Sequence, residues 1–274
     1  MKNCIFTFWE PGNKIPGYIQ KCMDTWTKFL PSYKIIILDY SNLEQYLSKI
    51  IIRKILEKRM DLAMQSDCIR CAILRQHGGI WIDADTIITN GNIFNKISST
   101  ECHMIGRKSD GVLYGAFIYT KAPYTDFINA WFNKLISHVA AYRFCTKFRK
   151  LKFLFNKFYN QTRNWDWCVN AIIDKLPKKI LPPKFDYTDK DEIGALPEFL
   201  SPMAKNIKSV TDKIQLYRDF YFKPGDPDSA IENTQGIILL HNSWTPNEYK
   251  NMTKDEFMKS DTMIAKLLEK VLAK

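Results

Sequence analysis

Apolar and polar positions along the chain follow two rhythms. Short apolar runs of strand length recur at CIFTF (4–8), YKIIILDY (33–40), GIWID (79–83), VLYGAFIYT (112–120) and GIILL (236–240), each bounded by polar or turn-forming residues. Between the first three lie stretches of helical spacing. One is PGYIQKCMDTWTKFL (16–30), which stops at Pro31; the other is a longer, interrupted region from 42 to 76. Strands separated by helices predict an α/β fold, Rossmann-like, with a largely parallel sheet flanked by helices. The run 112–120 suits an antiparallel strand. Residues 253–274 read as one amphipathic helix with lysines near its end, where the helix dipole favours them.

Three of these strands end in residues that carry chemistry. The first ends at Trp9, the third at Asp83 and Asp85, and the last at HNSW, His241 to Trp244. In open α/β sheets ligands bind beyond the carboxyl ends of the strands. If the strand runs through 83–85, the two carboxylates point to one side. Like charges held together need a positive partner. Mg²⁺ or Mn²⁺ satisfies that need with oxygen ligands, and Mn²⁺ accepts an imidazole such as that of His241. A bare D-x-D is also compatible with a surface turn of two solvated aspartates.

The preceding helix adds a second signal. At 100° per residue, Met60, Ala63, Arg70, Cys71 and Leu74 lie nearest Asp67, whereas Lys58, Gln65 and Gln76 lie opposite. Asp67 and Arg70 therefore fall on a mostly apolar, inward stripe, where charged residues are rare unless paired or used. An i,i+3 ion pair is one reading. The other gives Asp67 to sugar hydroxyls and Arg70 to a hydroxyl or phosphate.

Composition narrows the setting. The 274 residues are 46% apolar, enough for a large core, and carry 40 Lys+Arg against 29 Asp+Glu, a net +11. This surplus suits a polyanion, an anionic membrane face or a phosphate-bearing substrate. Residues 142–163 hold seven basic and seven aromatic residues and no acid, a composition that fits an anionic membrane surface or a solvated helix face over aromatic core. The seven cysteines show no framework spacing, and Cys68-x-x-Cys71 lacks the second pair that zinc requires. Free thiols, no leader sequence and no apolar run of about 18 residues point to the cytoplasm, with a peripheral membrane association through 142–163.

SDCIRCAILRQHGGIWIDADTI (66–87) resembles the core motif of DXD glycosyltransferases of the capsular polysaccharide synthesis type: A/S-D-x-x-R, about a dozen residues, then G-G-x-Y-x-D-x-D. Residues 4–42 resemble that family's opening strand, helix and W…P-x-Y segment, and HNSW resembles its closing H-x-x-x-S-W. The clostridial glucosylating toxins share the spacing of the Asp, the Arg and the two aspartates. The likeness covers residues 3–120 and 236–246. It implies a GT-A fold, a UDP-sugar donor, a divalent metal (Mn²⁺ or Mg²⁺) and retention at the anomeric carbon.

Carried over position by position, Trp9 matches the aromatic stacked on uracil and Asp67 and Arg70 the sugar-contacting pair. Asp83 matches the ribose and sugar contact, Asp85 the principal metal ligand and His241 the C-terminal metal ligand. Ser243 and Trp244 match the contacts to the donor phosphates. Trp81 stands where the family has Tyr, a change expected to alter packing more than chemistry, and FTFW replaces the family's His before the Trp.

On this reading residues 1–274 form a single domain. Residues 1–120 are the nucleotide-sugar-binding core, 121–235 a helical region on the acceptor and membrane side, and 236–274 a closing strand with a C-terminal helix. The expected function is transfer of a hexose to a saccharide acceptor, lipid-linked or protein-linked, in cell-surface glycan synthesis. Asp166, in NWDWC, is either an acceptor-side carboxylate or an exposed loop residue between two packed tryptophans. The competing readings are a Mg²⁺-dependent phosphotransferase or nuclease, which needs a third or fourth carboxylate, and a basic nucleic-acid-binding protein, which leaves the strand ends unexplained.

Overall fold

The computed structural model describes residues 3–92, 94, 101–106, 113–147, 168–173, 175–176, 186–188, 207, 209–231 and 236–273. The chain builds a six-stranded sheet of order β2-β1-β3-β6-β5-β7 from β1 (Cys4–Phe8), β2 (Lys34–Leu38), β3 (Gly79–Ile82), β5 (Cys102–Gly106), β6 (Leu113–Thr120) and β7 (Asp186–Thr188). β1 is parallel to both β2 and β3, whereas β6 is antiparallel to β3 and β5, and β5 is parallel to β7. The α/β class and the antiparallel 112–120 strand are as the apolar pattern predicted.

The helices cover both faces. α1 (Gly17–Phe29) packs on one side with the C-terminal helices, α9 (Lys254–Met258) and α10 (Met263–Ala273). α3 (Leu62–His77) packs on the other with α2 (Lys49–Ile55) and α4 (Asp126–Lys147). Two apolar clusters result, one on each face of the sheet. Trp26 and Leu267 lie in the first; Trp81, Ile69 and Trp131 lie in the second.

Four departures from the sequence reading have clear causes. β8 (Ile237–Leu239) does not join the main sheet; it pairs antiparallel with β4 (Thr86–Ile88), a strand the pattern did not show. Both are three-residue, fully buried strands, and a short apolar run does not encode which edge it joins. Second, residues 253–273 form two helices, because Thr262 supplies a new cap to the Ala265 amide at 3.2 Å, while Thr253 and Glu256 make a capping box on α9. Third, α3 starts only at Leu62 with Asp61 as its cap, and every residue from Asp67 to Leu74 is buried, with Ala63 exposed. The helix is enclosed on all sides there instead of showing one stripe. Fourth, Asp83 to Asp85 lie beyond the end of β3, in a turn closed by the Thr86 amide on the Asp83 carbonyl at 3.1 Å, so strand alternation does not place them.

α1 anchors the piece of chain after this turn. The Trp26 indole donates to the Thr86 carbonyl at 2.7 Å, and the Ile88 amide donates to Thr25 Oγ1 at 2.9 Å. The entry to β3 is equally fixed. Gly79 has φ +92°, and a Cβ there would lie 2.7 Å from the Cys4 carbonyl oxygen of the neighbouring strand. Gly79→Ala should therefore lose about 1–3 kcal/mol of stability, the cost of a non-glycine residue in this region. Urea denaturation measures it, and an unchanged midpoint would refute the close approach.

Candidate functional site

The site gathers around the Asp83–Asp85 turn. Asp67 and Arg70 on α3 are 8% and 5% exposed, buried as expected, although the helix is enclosed on every side there and not along one stripe. Arg70 Nη2 lies 3.1 Å from Asp67 Oδ1 and 2.8 Å from Asp83 Oδ1. One guanidinium thus answers two carboxylates, and the i,i+3 pair is real. Its Cζ also sits 5.3 Å from the Trp81 ring centroid. Nε of Arg70 is buried with no hydrogen-bond partner among the described residues, a cost of about 1–3 kcal/mol borne for this placement. Arg70 faces protein, so its first task here is to hold Asp83.

Two residues that the sequence reading underrated make this clamp possible. Trp81 donates its indole N–H to the same Asp83 Oδ1 at 2.8 Å, so the change from Tyr bears directly on the site and not on packing alone. Gly115 leaves the room for Arg70: a Cβ there would fall 2.1 Å from Arg70 Nη1. With Oδ1 taken by two donors, Asp83 presents Oδ2.

Asp85 is set from the other side. The Asn242 amide donates to its Oδ2 at 2.8 Å, and the Leu240 amide donates to its carbonyl at 3.1 Å. Asn242 is in turn oriented by the buried Tyr18 hydroxyl, 2.5 Å from its Oδ1. Burial first, and Asp85 second, pushes the Tyr18 hydroxyl well above the usual tyrosine range, so it stays protonated and donates. Neither Tyr18 nor Asn242 was picked from sequence. Asn242 acts through a backbone amide, which leaves no signature in residue type.

The remaining candidates lie on the same edge. Trp9 is half-buried at the end of β1, with its amide on the Leu38 carbonyl at 3.0 Å and its ring against the first apolar cluster. The His241 ring stacks on Trp244, centroids 4.3 Å apart, and the His241 amide donates to the Tyr217 hydroxyl at 3.1 Å. Ser243 is exposed on this turn. The structure does not collect Asp83, Asp85 and His241 into one ligand set: among the described residues no three His, Cys, Asp or Glu side chains group to hold a metal. Asp166 and residues 148–163 of the basic aromatic stretch lie outside the described residues. Within 142–147, Tyr142 and Arg143 are spent on the chain before α3: Tyr142 donates to the Arg59 carbonyl at 2.8 Å, and Arg143 to the carbonyls of Arg53 and Leu56.

The electrostatics of the two aspartates differ. Asp83 has Arg70. Asp85 is closely surrounded by protein although part of its surface is accessible, and its carboxyl is pushed up to about 7, first by burial and then by the Asp83 charge; the Asn242 amide opposes this. Two carboxylate oxygens, Asp83 Oδ2 and Asp85 Oδ1, are left outside these hydrogen bonds on one turn. This donor set suits a hard divalent cation that takes its other ligands from a phosphate-bearing substrate.

An α/β protein with a strained acidic pair at its sheet edge is the class that fold and site define. Residues 1–173 match the family described as Capsular polysaccharide synthesis protein, and the chain belongs to that family. No curated protein matches the sequence. Among solved structures, PaToxG Glycosyltransferase is similar at 14% identity with a TM-score of 0.39, over 99% of this chain and 86% of that one. The family is the one the 66–87 motif suggested.

The Asp85 shift has a stability consequence of known sign. Its folded-state value lies above the unfolded value of about 3.9. The folded protein therefore holds an extra proton between pH 4 and 7, and stability falls as pH rises through that window, then levels off. In EDTA, Asp85→Asn should raise Tm by several degrees at pH 8 and leave it unchanged near pH 4. Equal Tm values at pH 8 would place Asp85 in a solvated turn instead.

Proposed function

We propose that the protein is a metal-dependent glycosyltransferase. It moves a hexose from a UDP-sugar to a saccharide acceptor, with retention of configuration, in the synthesis of a cell-surface glycan. The observation that carries this reading is the asymmetric acidic pair, in which Arg70 compensates Asp83 while Asp85 remains a costly anion. Family membership supports the glycan setting.

Asp83 and Asp85 would hold Mn²⁺ or Mg²⁺; the family resemblance gives His241 as a further ligand, but its ring is stacked on Trp244 and does not group with the two aspartates among the described residues. The metal would supply Lewis-acid stabilisation of the departing diphosphate. This chain's own residues do the rest. Trp9, at the end of β1, offers a ring for the uracil. Asp67 and Arg70 keep Asp83 fixed against the sugar and ribose, so that it meets the donor in one orientation. Tyr18 and Asn242 hold Asp85 in the same way. Ser243 and Trp244 face the donor phosphates. No described carboxylate is placed as a nucleophile, so the acceptor hydroxyl attacks the face the leaving diphosphate departs from, and its proton passes to a phosphate oxygen.

A phosphotransferase or nuclease would want a third or fourth carboxylate at the metal, and the third acid near this turn, Asp67, is held by Arg70. The acceptor is a saccharide, lipid-linked or protein-linked; a lipid-linked one would suit a membrane-side role for the basic residues of 142–163, of which Arg143 is already taken up within the protein. No helix among the described residues is long and apolar enough to cross a membrane.

A panel of UDP-sugars, each incubated with Mn²⁺, Mg²⁺ or EDTA, tests the reaction without knowledge of the acceptor. One donor should be hydrolysed with metal and not in EDTA, and Asp85→Asn should lower that rate by several orders of magnitude while remaining folded. Full turnover in excess EDTA would remove the metal from the reaction.

A second test concerns the base. Trp9→Ala should weaken UDP binding by about 1–3 kcal/mol, the value of one base–aromatic stack, with a smaller effect on stability. Unchanged UDP affinity in the folded variant would take Trp9 out of the site.

A further inference from the structure

The His241–Trp244 turn is gripped at both ends by one helix, α6 (Val210–Tyr221). At the first end the Tyr217 hydroxyl accepts the His241 amide at 3.1 Å. At the other, Arg218 donates its Nε to the Trp244 carbonyl at 2.9 Å. The Tyr217 ring also stands edge-on to the two rings of the turn. Its centroid lies 6.0 Å from that of His241 and 5.6 Å from that of Trp244, at interplanar angles of 73° and 79°. Because those two rings stack on each other, the one tyrosine braces both.

α6 is itself anchored. Tyr221 packs on Tyr217, centroids 5.1 Å apart. Just past the helix, Phe222 packs on Tyr249 and accepts its hydroxyl at the main-chain carbonyl at 3.3 Å. The Lys223 carbonyl then accepts the Met263 amide at 2.8 Å, which ties the helix end to the start of α10. Tyr217 is fully buried. Burying a hydroxyl is costly unless it is hydrogen-bonded, and this one is directed to the main chain of the turn. Phenylalanine would fill the same space, so packing alone does not ask for tyrosine here. Between the gripped ends lies Asn242, whose amide donates to Asp85 Oδ2 at 2.8 Å. That amide belongs to the planar peptide joining His241 to Asn242, so its aim follows from how His241 is held.

We propose that Tyr217 and Arg218 are positioning residues for Asp85. They fix the 241–244 turn, and the Asn242 amide passes that constraint to the carboxylate. The grip and its link to Asp85 stand on these contacts alone; the use of Asp85 for a divalent cation rests on the sugar-transfer reading. A carboxylate already held in one orientation receives a cation without first having to be ordered, and supporting contacts behind a ligand provide that.

Two measurements on the full chain at pH 8 test this. In EDTA, urea denaturation of Tyr217→Phe, Asp85→Asn and the double variant forms a mutant cycle. The two changes should be non-additive, with the double variant's unfolding constant at least about twofold away from the product of the single effects. With Mn²⁺ binding followed by electron paramagnetic resonance, Tyr217→Phe should weaken affinity about tenfold, the usual loss when a contact supporting a ligand is removed. Arg218→Lys keeps the charge but lacks Nε. It should behave alike in both assays, and it carries the test if Tyr217→Phe does not fold. Val139→Ala, a change at a buried core position in α4, should be additive with Asp85→Asn and leave Mn²⁺ affinity at the wild-type value. Additive effects of Tyr217→Phe and of Arg218→Lys would overturn the link to Asp85. Wild-type Mn²⁺ affinity in both folded variants would overturn the positioning role. Failure of the metal reading looks different: wild type itself would bind no Mn²⁺, and the cycle in EDTA would then decide the link.

Discussion

The contact between Arg70 and Asp83 constrains the rest of the site. One guanidinium must serve Asp67 at 3.1 Å and Asp83 at 2.8 Å in a nearly dry position. A buried cation with two anions is tolerable only if geometry holds it there, since losing one partner leaves an uncompensated charge. The surroundings provide that geometry. α3 is enclosed from Asp67 to Leu74, Trp81 adds an aromatic face and an N–H, and Gly115 vacates the space that Arg70 fills. Because Arg70 is committed to Asp83, it offers Asp85 only a weak opposing influence. Stability is therefore spent on a site that wants a further positive charge.

The second half of the site arrives from far along the chain. Asp85 receives its hydrogen bond from Asn242, 157 residues away, and Asn242 is positioned by Tyr18, 224 residues away. β4 and β8 bring these segments together, and the Trp26 and Thr25 contacts of α1 keep β4 in place. The match to the capsular polysaccharide synthesis family ends at residue 173, yet the turn that closes over Asp85 lies beyond it. Both halves are needed to fix the acidic turn: Asp83 is set by helix and sheet, Asp85 by the returning strand.

Much of this was legible in the sequence, for identifiable reasons. β1, β2, β3 and β6 announced themselves because each is an apolar run of strand length beside turn residues, and the burial of Asp67 and Arg70 followed from helical spacing. Spacing specifies a face but not a partner, so the choice of Asp83 over a substrate oxygen for Arg70 was not readable. The β4–β8 pair was hidden because three buried apolar residues fit any sheet edge. Gly115 acts by lacking a side chain and Asn242 by a backbone amide, and neither leaves a motif. The 253–274 stretch broke in two because Thr262 caps a new helix, a local hydrogen bond that hydrophobic period does not register.

The net charge of +11 hides a local deficit of positive charge at the acidic turn. Arg70 is shared between Asp67 and Asp83, and Asp85 is answered by the Asn242 amide. Burial and the Asp83 charge both disfavour the Asp85 anion, and Arg70 offsets them only weakly. A positive charge entering between Asp83 and Asp85 would relieve both costs, which is why the proposed function places a cation there.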